Sequence, residues 1–169
     1  MTTSIIRFLN IILAAILAGT SFGIWLGFNP VNFSSSTYVE QQQNILRSLN
    51  VLMISLVITA TIITIVSAFL QRRNRPVFIT LLVAAAFFVA CILISRFGNQ
   101  PIQDSMMAWN ADSLPGNWTI LRDKWWSFHI MRTITELIAL SLITWVSIKK
   151  GNITIDTHTQ YWQNGGLRG

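Results

Sequence analysis

Trp118, Arg122, Trp125, His129, Arg132 and Glu136 recur at helical spacing in the last third of the chain. At about 100° per residue they fall within an arc of roughly 80°, so one stripe of one helix carries all of them. Two indoles, two guanidiniums, an imidazole and a carboxyl share that stripe, which turns apolar further on at Leu140 and Ile143. His129 is the group that takes or gives a proton near neutral pH, with an ordinary pKa of about 6.5. Arg132 and Arg122 are fixed cations of the kind that stabilise a phenolate or enolate forming in a low-dielectric site. Trp118 and Trp125, with Trp109 from the preceding segment, offer flat faces to an aromatic ring. Such a set suits deprotonation of an acidic, electron-rich aromatic whose carbanion reacts directly with oxygen. A packing network accounts for part of the same stripe: Arg132 and Glu136 are four residues apart and can neutralise one another, and tryptophans anchor helices at membrane interfaces.

The elements that must hold this stripe read as membrane spans. Apolar residues make up 52% of the 169 and charged residues 11%, against roughly 25% charged in a soluble domain. Three uncharged runs, 8–28, 48–70 and 77–95, are long enough for a hydrocarbon core that needs about 20 residues. A fourth run, 127–148, has the length and carries His129, Arg132 and Glu136. The first run follows Arg7 but is long for the apolar stretch of a signal peptide, so a retained helix is expected. Arg72, Arg73 and Arg75 crowd the second connection and Lys149 and Lys150 follow the last run, which places both termini on the cytoplasmic side. The net charge of +6 then faces an anionic membrane surface, and with no accompanying motif it does not indicate nucleic acid.

The fold expected is all-α, a four-transmembrane-helix bundle with extended outer ends of helices 2 and 4. Residues 1–150 form the transmembrane domain, and 151–169 a polar, poorly ordered cytoplasmic tail. Thr37 followed by Glu40 has capping-box spacing, so the second helix is expected to start ahead of the membrane and to carry Tyr38, Gln41, Gln42 and Arg47 on an outer extension. Asn117 is a candidate N-cap for the fourth helix, with an outer loop between Gly98 and Asn117. Ala15, Gly19, Gly23 and Gly27 form a ridge of small residues on the first helix. Such ridges let backbones approach closely in lipid; packing inside the bundle is the first expectation, and a homo-oligomer contact the second.

Metal chemistry is narrowed by what the chain lacks. Cys91 is the only cysteine, and His129 and His158 are the only histidines, so neither a cysteine cluster nor a three-histidine centre can be built from one chain. Three readings stay open: an oxygenase without a cofactor, a non-enzymatic four-span protein, and a haem protein with His129 as its single axial ligand. A transporter is the least favoured, because there is no internal repeat and no broken span. The partners expected are the bilayer itself and a hydrophobic aromatic small molecule.

Gly98-Asn99-Gln100-Pro101-Ile102, Met107-Ala108-Trp109-Asn110, Asn117-Trp118, Leu121-Arg122, Trp125 and His129-Ile130-Met131-Arg132-Thr133 follow in order, in a match that covers most of the chain and is specific in its last third. This resembles the anthrone-oxygenase-like family of small integral membrane proteins, whose pattern is similar to G-N-x-P-x-N, a W, then W-x-x-x-R-x-x-W-x-x-x-H-x-x-R. The resemblance implies four transmembrane helices and oxidation of anthrones to anthraquinones without an evident cofactor. Carried over by position, it points to Asn99, Trp118, Arg122, Trp125, His129 and Arg132. One departure stands out: Gln103 or Asp104 occupies the place of the second asparagine. Tyr38 and Glu136 join Trp118, Trp125, Trp109 and Asn99 as substrate-binding candidates, with His129, Arg132 and Arg122 as the catalytic ones.

Overall fold

The computed structural model describes residues 2–165, with side chains for residues 3–149, and the described residues are almost entirely helical. Helix α1 spans Thr2–Gly27, α2 Ser35–Leu70 and α3 Arg75–Ile94. A π-helical turn over Ser95–Asn99 then leads without a break into α4, Gln100–Met106, and the chain closes with α5, Trp118–Gly165. Four helical stretches, Thr3–Asn32, Ser35–Leu70, Arg75–Met106 and Trp118–Lys149, are long and apolar enough to cross a membrane. Helix α1 packs on α2, α2 on α3, α3 on α5, and α5 back on α1, so the four form a ring. Val51, Ile62, Ile79 and Leu93 point outward, while Asn10, Thr64, His129 and Glu136 are buried inside. Apolar surface with polar groups within is the distribution a chain adopts when lipid is its solvent. This is a multi-pass membrane protein.

Helix α2 is 36 residues long, about 54 Å at 1.5 Å per residue, against a hydrocarbon core of about 30 Å. Its expected extension is therefore real, but its cap is not Thr37. Ser34 sits in extended backbone and its Oγ accepts from the Thr37 amide at 3.3 Å, so the helix begins three residues earlier than the Thr37–Glu40 spacing suggests. Nor is the extension a solvated face throughout, since Tyr38, Val39 and Gln42 are buried.

The stretch after Gly98 is helical as far as Met106 rather than a loop. Pro101 falls in the first turn of α4, where a missing N–H is tolerated after the wider π-helical turn. The expected packing of the α1 ridge inside the ring is overturned. Ala15, Gly19, Gly23 and Gly27 are exposed, and a methyl group built on any of the three glycines meets nothing within 4 Å. Helix α1 instead turns Ala14, Leu17, Ala18 and Ser21 inward, the opposite stripe at the same helical spacing. Past Lys149 the helix continues to Gly165, although an irregular tail was expected there; its side chains lie outside the described residues.

Packing divides along the ring. Toward the arginine-bearing 70–75 connection, small residues such as Ala14, Ala60, Ala84 and Ala139 close-pack with Leu17, Val57, Phe88 and Ile143, and Arg7 donates to the Ser147 carbonyl. Inside this half, Thr64 Oγ1 donates to Asn10 Oδ1 at 2.7 Å, joining α1 to α2. Toward the opposite end the core is aromatic: Phe28, Tyr38 and Trp125 with Trp109, Trp118 and Trp126 packed against them. The expected stripe of α5 runs through the junction of these two halves.

Candidate functional site

His129 lies at that junction with no exposed surface. Its Nε2 is 3.2 Å from the Ser21 carbonyl of α1, and its Nδ1 accepts from Arg132 Nε at 3.3 Å. A ring nitrogen that accepts from a guanidinium carries no proton, so the proton sits on Nε2 and is donated to Ser21. The imidazole is nearly parallel to Trp125 and to Trp126, at 10° and 15° with both centroids at 5.4 Å. Both ring nitrogens are thus engaged.

Arg132 does not pair with Glu136. It reaches back one turn to His129 Nδ1, with Nη2 at 3.2 Å as well, and among the described residues the ion pair formed is Arg122 with Asp123. Glu136 is fully buried and takes a different partner: Cys91 Sγ of α3 donates to its Oε1 at 3.1 Å. Ser21 of α1 is placed to bond the same carboxyl, and its hydroxyl and Glu136 Oε2 otherwise have no partner. The 132–136 spacing allowed a pair; a thiol across the helix interface and an imidazole one turn away replaced it.

Arg132 and Glu136 line a cleft of about 40 Å³ with Asn50 and Met53 of α2, Cys91, and Ser95, Asn99 and Gln103 of the third crossing. A second cleft, about 20 Å³, shares Asn50, Met53, Gln103 and Arg132 and is lined also by Trp125. Their polar inventory is incomplete. Asn99 Nδ2 donates to the Trp125 carbonyl at 3.1 Å, yet Asn99 Oδ1, Trp125 Nε1 and Glu136 Oε2 are buried without partners. Buried polar groups are normally satisfied, so each such atom asks for a ligand or a water. The space suffices for two or three waters or a dioxygen molecule. It is far below the roughly 300 Å³ at which small-molecule sites begin. Among the described residues, the two clefts at Arg132 are too small to enclose an aromatic ring.

The other expected residues are placed apart from this cleft. Arg122 lies over the Trp118 ring at 5.2 Å and bonds Asp123 Oδ1 at 2.8 Å. Tyr38, fully buried, is tilted against Trp118 with centroids 5.9 Å apart, and its hydroxyl faces Met106 Sδ at 3.5 Å. Trp109 packs in the same aromatic cluster, and its carbonyl accepts from Gln43 Nε2 at 2.9 Å. The indole faces offered to a ligand are therefore used within the protein: Trp125 by His129, and Trp118 by Tyr38 and Arg122. The stripe splits into a polar buried group (Trp125, His129, Arg132, Glu136, with Asn99) and an aromatic group (Trp118, Arg122, with Tyr38 and Trp109).

Sequence reasoning passed over Asn50 and Ser21, noted Cys91 only as the lone cysteine, and left Gln103 as an alternative to Asp104. The open question between Gln103 and Asp104 resolves in favour of Gln103, which lines both clefts, whereas Asp104 is exposed and accepts from Gln100 Nε2 at 2.8 Å. An amide standing in for an amide was the available signal. Cys91 and Ser21 carried none, since a cysteine and a serine inside apolar runs look like ordinary packing.

A family model described as anthrone oxygenase matches residues 43–142, and the chain belongs to that family. The matched region takes in α2 from Gln43, the whole third crossing and α5 as far as Leu142. Neither a curated protein nor a solved structure matches the chain significantly.

Proposed function

We propose that this member of the anthrone oxygenase family is a membrane oxygenase that oxidises an anthrone- or quinol-like aromatic lipophile without a resident cofactor. The observation that carries the proposal is the cleft at Arg132, Glu136 and Asn99, whose buried polar atoms lack partners in the protein. Packing alone does not require those atoms to stay unsatisfied: a phenol hydroxyl could accept from Trp125 Nε1 and donate to Asn99 Oδ1 or to the Glu136 carboxyl, and a ketone oxygen could accept from Trp125 Nε1. Among the described residues no three His, Cys, Asp or Glu side chains converge as a metal site would need.

The chemistry assigns one role to each group. A ketone oxygen drawn to Arg132 takes the guanidinium away from His129 and uncovers the Nδ1 lone pair. His129 then removes a proton from the methylene opposite the ketone, and Arg132 holds the enolate oxygen as charge develops on it. The carbanion gives an electron to dioxygen and the two recombine, forming a carbon–oxygen bond; the proton on His129 completes a hydroperoxide. Loss of the remaining methylene proton with cleavage of the O–O bond yields the second carbonyl and water. One anthrone and one dioxygen thus become one quinone and one water.

The test is oxygen uptake by the purified chain in detergent with dithranol, beside His129→Ala and a protein-free control. Uptake well above the control that collapses in the variant supports the reading, and equal rates in all three refute it for this substrate. One observation favours the second reading, a non-enzymatic four-span protein: the aromatic faces and both His129 nitrogens are already occupied within the chain. Equal rates would support that alternative.

A further inference from the structure

A third cleft shares lining residues with the two at Arg132. About 110 Å³ in volume, it lies between α2 and α4, lined by Leu46, Arg47, Gln100, Asp104 and Met107, and it shares Asn50 and Gln103 with both inner clefts. These two amides stand where the outer space would join the inner ones. Gln103 is 9% exposed and Asn50 is half-buried. An amide at the edge of such a space can donate to, or accept from, a polar group that enters it. The helices beside the seam are otherwise secured elsewhere: Gln43 ties α2 to the Met106 and Trp109 carbonyls at 3.2 and 2.9 Å.

We infer that the α2–α4 seam is the lateral route from the membrane to Arg132, with Asn50 and Gln103 as its latch. The ligand it admits is a planar aromatic ketone or phenol, whose oxygen takes hydrogen bonds from the two amides on the way to the guanidinium. The ligand class rests on the proposed oxygenase reading; the route does not. Swinging the amides aside joins the three clefts into one passage, and separation of α2 from α4 supplies the remaining width.

The experiment uses anthraquinone, a planar diketone that cannot be oxidised further, and follows quenching of tryptophan emission by stopped flow in the full chain. Gln103→Phe and Asn50→Phe put bulk into the seam from opposite walls. Each is expected to slow association and dissociation by about tenfold or more while moving Kd less, the signature of an obstructed path. Gln103→Ala, which opens the seam, is expected to speed both. Thr80→Phe, in the separate groove of about 210 Å³ at the arginine-bearing end, is expected to change neither rate by more than about twofold. The inference is overturned if both seam variants keep wild-type rates, if only Thr80→Phe slows binding, or if wild type does not bind anthraquinone. Gated binding without oxygen uptake from dithranol leaves the route standing and removes the chemistry. Oxygen uptake with unaltered association in the seam variants does the reverse.

Discussion

Gly98→Ala probes the close approach on which the inner site depends. A methyl group at residue 98 would lie 2.8 Å from both Cγ and Cδ1 of Phe128 and 3.0 Å from its Cδ2. Relaxed carbon contacts begin at about 3.5 Å, so a separation of roughly 0.7 Å is demanded. Three ring carbons at similar distances mean that the ring meets the methyl face-on and cannot escape by turning in its own plane. Either the Phe128 side chain or the α5 backbone must retreat, an overpacking cost of about 1–3 kcal/mol. Alanine in a helical turn regains about 1 kcal/mol over glycine, leaving a net loss of about 1 kcal/mol. With Phe128→Ala already in place the obstacle is gone, and the same Gly98→Ala change should stabilise by about 1 kcal/mol. The sign reversal, a coupling of about 2 kcal/mol, is the readout of a double-mutant cycle. Unfolding in mixed micelles by added dodecyl sulfate, followed by tryptophan emission, measures all four proteins. Equal destabilisation by Gly98→Ala in both backgrounds would refute the contact as the reason for glycine. Retreat of α5 would also pull the Trp125 carbonyl from Asn99 Nδ2, now at 3.1 Å, so oxygen uptake should fall in Gly98→Ala and recover in part in the double variant.

The remaining expectations concern the cation and the outer brace. Arg132→Met keeps an unbranched stem but removes the guanidinium, and should lower kcat for dithranol oxidation by about 10²–10³, as loss of a principal oxyanion donor does. A KM change without a kcat change would show that Arg132 only binds. Arg132→Lys should rescue little, because a single ammonium cannot reach His129 Nδ1 through two nitrogens as the guanidinium does. Gln43→Leu deletes both hydrogen bonds from α2 to the Met106 and Trp109 carbonyls and should cost about 2 kcal/mol in the same micelle titration. Faster amide exchange should accompany it in residues 107–117; unchanged exchange there would mean that the brace does not hold this segment.

Four spans, their approximate limits, the long second helix and the polar stripe on the last one were legible in the sequence. Each is a local property: charge-free length decides what can cross a bilayer, and a 3.6-residue period decides which side chains share a face. Trp125, His129 and Arg132 were legible as neighbours on one face for the same reason, whereas Asn99 was named only through the family pattern. What the period could not supply was a distance to another helix. Whether Arg132 would choose Glu136 or His129 depended on Cys91 arriving from α3 to occupy the carboxyl. Whether the ridge of α1 would face the ring depended on the opposite stripe winning the interior, and both stripes are small enough to do so. The π-helical turn that aims Asn99 at α5 left no composition signal, and neither did Asn50, which looks from the sequence like a polar residue near a membrane boundary. A helix announces its faces in its own residues, but only the packed ring decides which face meets which neighbour, because that choice is made by side chains brought together from different helices.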